Sequence, residues 1–293
     1  MGTFKILNLN NSDYKNLDQK TFSLTHNLTN HPSLQLDHLM KVVSKHPKDK
    51  LLFSAELNKL DNNFDYALDD HKEVDYQKIL ETIKNTNSSY IAIKNPELNE
   101  SFKDIYNDIN SDLGLIMQEL GVGSSPIEPM LWIFIASPNA ITPFHIDRFS
   151  NFIMQIRGSK ELAVYPPRNS TVVPTEITEA YIDWAGKSPL WKEETDHLAT
   201  KYFFKPGEAA HIPFTSGHYV KNGSDDISIT ISVFFYTEKS LQWTKAMKLN
   251  NRLRKFGIKT NPVDQNKTMD SLKANIFTIE NSLENSIRKI LRR

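Results

Sequence analysis

PMLWIFIASPNAITPFHIDRFSNFIMQIRGSKELAVYPP, residues 129–167, is the stretch whose reading decides the fold. PMLWIFIAS, NFIMQIRG and KELAVYPP are short runs rich in β-branched and aromatic residues, separated by Pro138-Asn139-Ala140 and by a hairpin turn at Gly158-Ser159. Runs of that composition bounded by turn formers read as strands. Moving outward, KYFFKPG, EAAHIPF and DISITISVFFY carry the same pattern as far as Tyr236. Six or more short strands in about 110 residues predict an antiparallel barrel or jelly roll.

The flanks differ from this centre. Eight of the ten glycines fall between Gly114 and Gly223, and only Gly2 precedes residue 114. Tight turns between strands draw on glycine, so residues 1–125 read as a mainly helical region packed on a strand-rich core of residues 126–240. LQLDHLMKVVSKHP (Leu34–Pro47), VDYQKILETIKN (Val74–Asn85) and FKDIYNDINSDLGLIMQEL (Phe102–Leu120) have apolar residues at helical spacing, and SSYIAIKNP (Ser88–Pro96) is a short strand stopped by proline. The segment 168–200, with Trp184 and Trp191, is a long insertion between strands, of the kind that is functional or mobile. Residues 241–293 carry twelve Lys or Arg against four Asp or Glu. Leu272, Ile276, Ile279, Leu283, Ile287 and Leu291 there form one helical stripe. Docking on its own barrel and pairing with a second copy in a homodimer both suit this stripe, and a basic surface for an acidic partner such as RNA is a third use.

Composition excludes several classes. Thirty-five basic residues balance thirty-five acidic ones, which argues against coating nucleic acid by bulk positive charge. No cysteine is present, so thiol nucleophiles, disulfide scaffolds and cysteine-held zinc or iron–sulfur clusters are ruled out, and any metal must be held by His, Asp or Glu. No stretch approaches the roughly 18 apolar residues of a membrane span, and MGTFKILNLNNSDYKN lacks the apolar run of a signal peptide, which gives a soluble cytoplasmic protein as the expectation. Phosphate-binding glycine loops, H-E-x-x-H and G-x-S-x-G are missing, so nucleotide hydrolysis and zinc proteolysis find no support.

The chemistry concentrates in Thr142-Pro-Phe-His-Ile-Asp-Arg148. Residues two apart on a strand share a face, so His145 and Asp147 would both point inward and offer a metal one imidazole nitrogen and one carboxylate oxygen. A second imidazole would complete the 2-His-1-carboxylate face, which leaves positions open and suits non-haem Fe(II) oxygenases. With nine histidines, about one His-x-acid pair arises by accident, and His71-Lys-Glu73 is a second instance, read as a solvated loop in DDHKEVD. Context separates the two, because His145 sits between strand patterns and a downstream element, Gly207-Glu-Ala-Ala-His-Ile-Pro-Phe-Thr-Ser-Gly-His218, delivers His218 after a strand and a short turn.

These residues resemble the JmjC, cupin-type Fe(II)/2-oxoglutarate oxygenases, and most closely the small hydroxylases typified by the asparaginyl hydroxylase that inhibits hypoxia-inducible factor. The resemblance covers about 110 residues: a T-P-x-H-x-D opening at Thr142–Asp147, N-F-x-x-Q-I-x-G-x-K at Asn151–Lys160, and G-D-x-x-x-I-P…W-H at Gly207–His218. It implies an α+β protein with a double-stranded β-helix core, a jelly roll of cupin and JmjC type, between an N-terminal helical region and C-terminal helices. It implies His145, Asp147 and His218 as ligands of Fe(II). It also implies Lys160 and Thr142 as contacts to the distal carboxylate of 2-oxoglutarate, with Asn151 as a further contact, and O₂ as the oxidant. A dicarboxylate drawn into a barrel needs a cation at its far end, and Lys160 supplies one. The sequence departs from the family at Glu208 for Asp, at Gly217 for Trp, which opens space beside His218, and at Val233 or Phe234 where an asparagine is frequent.

The implied activity is hydroxylation of an unactivated C–H, with a protein side chain as the leading substrate and a free amino acid, small metabolite or tRNA base as alternatives. A metal-binding cupin acting as sensor or scaffold without turnover is the reading from another class. Lysine demethylation lacks the cysteine-held zinc module that chromatin-acting relatives carry. His211 is read as a pocket-wall or structural residue, His197 as a surface residue, and Trp184 and Trp191 as core.

Overall fold

The computed structural model describes residues 3–9, 12–54, 59–65 and 76–291. The His71/Glu73 pair lies outside them. Twelve strands are present among the described residues: β1 (Leu7–Asn8), β2 (Phe22–His26), β3 (Leu51–Ser54), β4 (Tyr90–Lys94), β5 (Ile127–Ala136), β6 (Ile141–Ile146), β7 (Ser150–Arg157), β8 (Lys160–Val164), β9 (Thr200–Phe204), β10 (Glu208–Ile212), β11 (Gly217–Asn222) and β12 (Ser228–Tyr236). They form two wholly antiparallel sheets, one ordered β1-β2-β10-β7-β12-β5-β4-β3 and one ordered β6-β11-β8-β9. The α-helices among the described residues are α1 (Leu36–Val43), α2 (Tyr76–Asn85), α3 (Lys103–Leu120), α4 (Thr175–Ile182), α5 (Glu238–Lys255) and α6 (Lys267–Leu291).

Alternation along the strands of the large sheet sorts its two faces. Ile133 and Ile135 of β5, Phe152 and Met154 of β7 and Ile229, Ile231 and Val233 of β12 pack in one cluster with Ile105, Ile109, Leu113 and Ile116 of α3. Each such fully buried aliphatic side chain contributes roughly 1.5–3 kcal/mol over exposure. The intervening residues face the small sheet, where Ile153, Ala210 and Ile212 meet Leu162, Val164, Phe204 and Val220. The cavity described below lies between the sheets.

The strands read from the sequence between residues 129 and 236 are all present, and so are the helices read in the first third. The N-terminal region is nevertheless more than a helical layer. β1 and β2 extend one edge of the large sheet through β10, while β3 and β4 extend the other through β5, so a division near residue 125 would separate strands that are paired in register. Glycine scarcity hid β2, whose burial alternates perfectly along Phe22–His26. Left-handed backbone at its flank is adopted by Asp18 (φ 59°), and after β4 by Asn95 (φ 51°), both types that tolerate this region without being glycine.

The segment 168–200 carries regular structure. It contributes α4, whose buried Glu179 accepts hydrogen bonds from Arg254 Nε (2.6 Å) and Asn250 Nδ2 (2.7 Å) of α5. α5 begins with a capping box at Thr237 and Ser240 and buries Trp243, Ala246 and Met247. α6 packs on α5 through Ala274 and Phe277, with Arg252 bridging to Glu280 (3.0 Å) and Glu284 (3.4 Å). The stripe Leu272, Ile276, Ile279, Leu283 and Ile287 points away and is 45–62% exposed. The helix therefore docks by a different face, and its apolar stripe is left bare among the described residues. Arg252 and Arg254 are held by acids of this chain, which reduces the free positive charge the sequence shows there. No helix among the described residues is long and apolar enough to cross a membrane.

Candidate metal centre

β6 is irregular where it matters. Val220 of β11 pairs with Thr142 and His218 pairs with His145, so a two-residue step on β11 faces a three-residue step on β6. The extra residue is a β-bulge beside Pro143, which has no N–H to give the ladder. Strict alternation would send Thr142 and His145 to opposite faces. With the bulge, Thr142, His145 and Asp147 all line the same cavity.

His145 and His218 face each other across the β6–β11 pair with ring centroids 4.1 Å apart. Asp147 Oδ1 lies 3.9 Å from His145 Nε2, and Asp147 Oδ2 lies 3.6 Å from His218 Nε2. One ligand atom from each of the three falls within 4.8 Å of the others. Each imidazole is aimed from behind: His145 Nδ1 is 2.8 Å from the Pro143 carbonyl and His218 Nδ1 is 3.0 Å from that of Ser216. A carbonyl only accepts, so both Nδ1 atoms carry hydrogen and both Nε2 lone pairs are free for a cation. Asn151 Nδ2 donates to Asp147 Oδ2 at 3.3 Å.

Burial, and then the neighbouring His218, hold the His145 pKa well below its ordinary value. Burial raises that of Asp147, against the opposing pull of His218 and the Asn151 hydrogen bond. A divalent cation requires neutral imidazoles and supplies the positive charge that a desolvated carboxylate lacks. The donor set, two imidazole nitrogens and one carboxylate on one side of a cavity, fits a metal that keeps open positions.

The cavity is about 390 Å³ and includes Lys160 and Asn151 in its wall. Lys160 is buried, donates to Thr230 Oγ1, and has no acidic partner among the described residues. Thr230 in turn donates to Gln155 Oε1 (3.1 Å), and Gln155 donates to Ser228 Oγ (3.1 Å). Burial alone pushes the Lys160 pKa down to about 7. An anion beside it would keep the ammonium charged. Asn151 Oδ1 is buried without a hydrogen-bond partner among the described residues, which leaves an acceptor for a ligand group in the cavity.

Other residues at the site had little signal in the sequence. Phe64 stacks on the His145 ring at 3.8 Å and 11°. Arg148 is held between the rings of Tyr181 (3.7 Å) and Trp184 (3.6 Å) and donates from Nε to the Tyr181 carbonyl. Trp184 is thus no core residue: it is 71% exposed and lines the cavity. Trp191 packs inward and donates to Tyr165 Oη, as read. His211 is fully buried on the opposite face of β10 and is structural, and His197 is exposed. Gly217 does not open space beside His218, because the Phe144 ring fills it and a Cβ on Gly217 would lie 2.5 Å from that ring. Glu208 closes its turn by accepting from the Lys205 N–H at 2.7 Å. At the departed asparagine position, Val233 faces the helices and Phe234 faces the cavity. A second concavity of about 380 Å³, between β2 and β9, contains no histidine.

A family model described as the cupin-like domain matches residues 17–241. A curated relative, the JmjC domain-containing protein F of Dictyostelium discoideum, is 27% identical over 138 residues, which cover 39% of this chain and 27% of that protein. The match thus spans about a quarter of the relative's length. Two crystal structures of the Escherichia coli ribosomal oxygenase YcfD are similar in fold, with TM-scores of 0.50 and 0.52 at 13% identity, over 94% of this chain and 67% and 68% of theirs.

Proposed function

This chain belongs to the cupin-like domain family, and on that premise we propose that it is an Fe(II)- and 2-oxoglutarate-dependent oxygenase that hydroxylates an unactivated C–H group. The observation that carries the proposal is the pairing, in one cavity, of a three-ligand face at His145, Asp147 and His218 with a buried cation at Lys160. When bound, iron with 2-oxoglutarate and O₂ would supply the oxidising power, converting the cosubstrate to succinate and CO₂ while one oxygen atom enters the C–H bond.

The protein's own groups do the positioning. His145 and His218 present Nε2 because the Pro143 and Ser216 carbonyls hold Nδ1. Asn151 restrains Asp147. Lys160, steadied by Thr230 and Gln155, meets the distal carboxylate, with Thr142 available to add a hydroxyl hydrogen bond. Phe64 shields the His145 face from water. The Arg148–Tyr181–Trp184 stack forms part of the wall a substrate meets, whether the group entering belongs to a protein side chain or a small molecule.

The test is release of labelled CO₂ from 1-labelled 2-oxoglutarate with iron and ascorbate. Slow release is expected even without substrate, and His145→Ala should stop it. Release that persists in the variant, or its absence in the wild type, would overturn the assignment.

A further inference from the structure

The cavity wall is chemically divided. On the β7–β12 part of the large sheet its inward residues include Asn151, Ser228, Thr230 and Ser232, interrupted by Ile153, together with Lys160 from β8. On the β3–β5 part they are Leu52, Tyr90, Trp132 and Phe134. Phe234, on the boundary, turns its ring edge to Trp132 at 5.5 Å, and Trp132 lies 5.9 Å from Phe134. The polar part is accounted for by the cosubstrate. The aromatic part has no role in metal or 2-oxoglutarate binding, yet Trp132 and Phe134 are only half-buried, with ring surface open to the same cavity.

Lys94 belongs to this second part. Its Nζ lies 5.2 Å above the Trp132 ring, it lines the cavity, and it makes no ion pair or hydrogen bond through Nζ among the described residues. Burial, followed by the nearby charge of Lys50, lowers its pKa against the opposing pull of Asp49. Lys160 and Arg148, the other cations of the cavity among the described residues, are engaged, Lys160 with Thr230 and Arg148 with its two rings and the Tyr181 carbonyl. A half-buried ammonium against an aromatic wall gains most from an anion on a molecule that also covers the wall.

We infer that the β3–β5 part of the cavity is a substrate pocket for an amphipathic carboxylic acid, whose apolar body lies against Trp132, Phe134, Tyr90 and Phe234 and whose carboxylate meets Lys94. The inference rests on the oxygenase reading for its site and extends it to a substrate class. It places an apolar C–H-rich body, rather than a polar amide or guanidinium side chain, beside the metal centre. A substrate with this shape uses Lys94, while 2-oxoglutarate uses Lys160 of the same cavity.

The experiment is calorimetric titration of the full chain, loaded with Mn(II) in place of iron and saturated with 2-oxoglutarate so that no turnover occurs. The probes are 4-phenylbutanoate, 4-phenylbutanamide and butanoate. Phenylbutanoate should bind saturably, with the amide and butanoate each about tenfold weaker or more. In Lys94→Met the acid and the amide should bind alike, and in Trp132→Ala both ring-bearing probes should weaken together. Lys94→Gln serves as a second variant, and undiminished 2-oxoglutarate binding certifies that a variant is folded. Equal binding of acid and amide to the wild type, acid binding that survives Lys94→Met, competition of phenylbutanoate with 2-oxoglutarate, or no saturable binding would each overturn the inference. A chain that binds phenylbutanoate in this pattern but never binds 2-oxoglutarate would refute the oxygenase reading while leaving the pocket intact.

Discussion

His218 and His211 lie on successive strands, and each has an aspartate oxygen 3.6 Å from its Nε2. By spacing they are the same pair twice, yet their surroundings give them opposite chemistry. Around His211, Nε2 already accepts from the Asp18 N–H (3.0 Å) and Nδ1 faces the Asn151 carbonyl (3.1 Å), with Phe22 and Phe152 against the ring. Asp18 accepts from Ser150 Oγ (2.7 Å) and from the Phe214 N–H (2.9 Å). Desolvation works against its charge, but these bonds and His211 outweigh it and lower its pKa. Around His218, only Nδ1 is satisfied among the described residues, and Asp147 receives one long bond from Asn151. A buried polar set with every partner present is structural, and one left with aligned vacant lone pairs is open to a ligand.

The largest expected effect breaks the pair apart by function. His218→Ala should reduce Mn(II) or Co(II) affinity on the order of a hundredfold or more, whereas His211→Ala should leave it within a few-fold, as read by calorimetry or by the Co(II) absorption spectrum. Equal losses would mean that the two histidines are not distinct in kind.

Next comes the stability counterpart. Asp18→Ala removes the acceptor for Ser150 and the Phe214 N–H and should lower unfolding free energy by about 3 kcal/mol in urea. Asp147→Ala should lower metal-free stability far less, since it leaves a single Asn151 donor unmatched. A metal-free Asp147→Ala chain destabilised as much as Asp18→Ala would show that Asp147 too is primarily structural.

A third measurement uses pH. With the folded pKa of Lys160 near 7 and its ordinary value at 10.5, the unfolded chain binds the proton across that interval and the folded chain does not. The metal-free protein should therefore gain stability as pH rises from about 7 toward 10. Lys160→Met should flatten this rise, and saturating 2-oxoglutarate should weaken it by holding the proton. Urea midpoints at pH 7 and 9 test all three, and an unchanged slope in Lys160→Met would place the titration elsewhere. The smallest effect concerns Asn151→Ala, which should weaken metal binding about tenfold through loss of the bond to Asp147, with little change in unfolding free energy.

Much of the fold was legible because the strands of the core announce themselves. Ser228-Ile-Thr-Ile-Ser-Val alternates polar and branched residues without interruption, and the structure puts the polar set into the cavity and the apolar set under α3. β2 and β3 were missed because they are short and joined by turns without glycine, so only their pairing with β10 and β4 makes them strands. The residues that the structure brings together, His145, Asp147 and His218 with Lys160 in the same cavity, were legible because they stand in short local patterns. Phe64 and Lys94 come from distant parts of the chain, and no spacing rule connects them, or Trp132 on the preceding strand, to residue 145.

Local order along the chain determined the strand-rich centre, the helical stripe of α6 and the order of the polar residues that meet at the centre, because alternation and turn chemistry act over a few residues. Tertiary structure decided which face of each element is covered, that the bulge in β6 turns Thr142 and His145 the same way, and that His211 is satisfied while His218 is not. Those outcomes depend on partners supplied by remote segments, and the free energy of a buried polar group is set by the partners it meets.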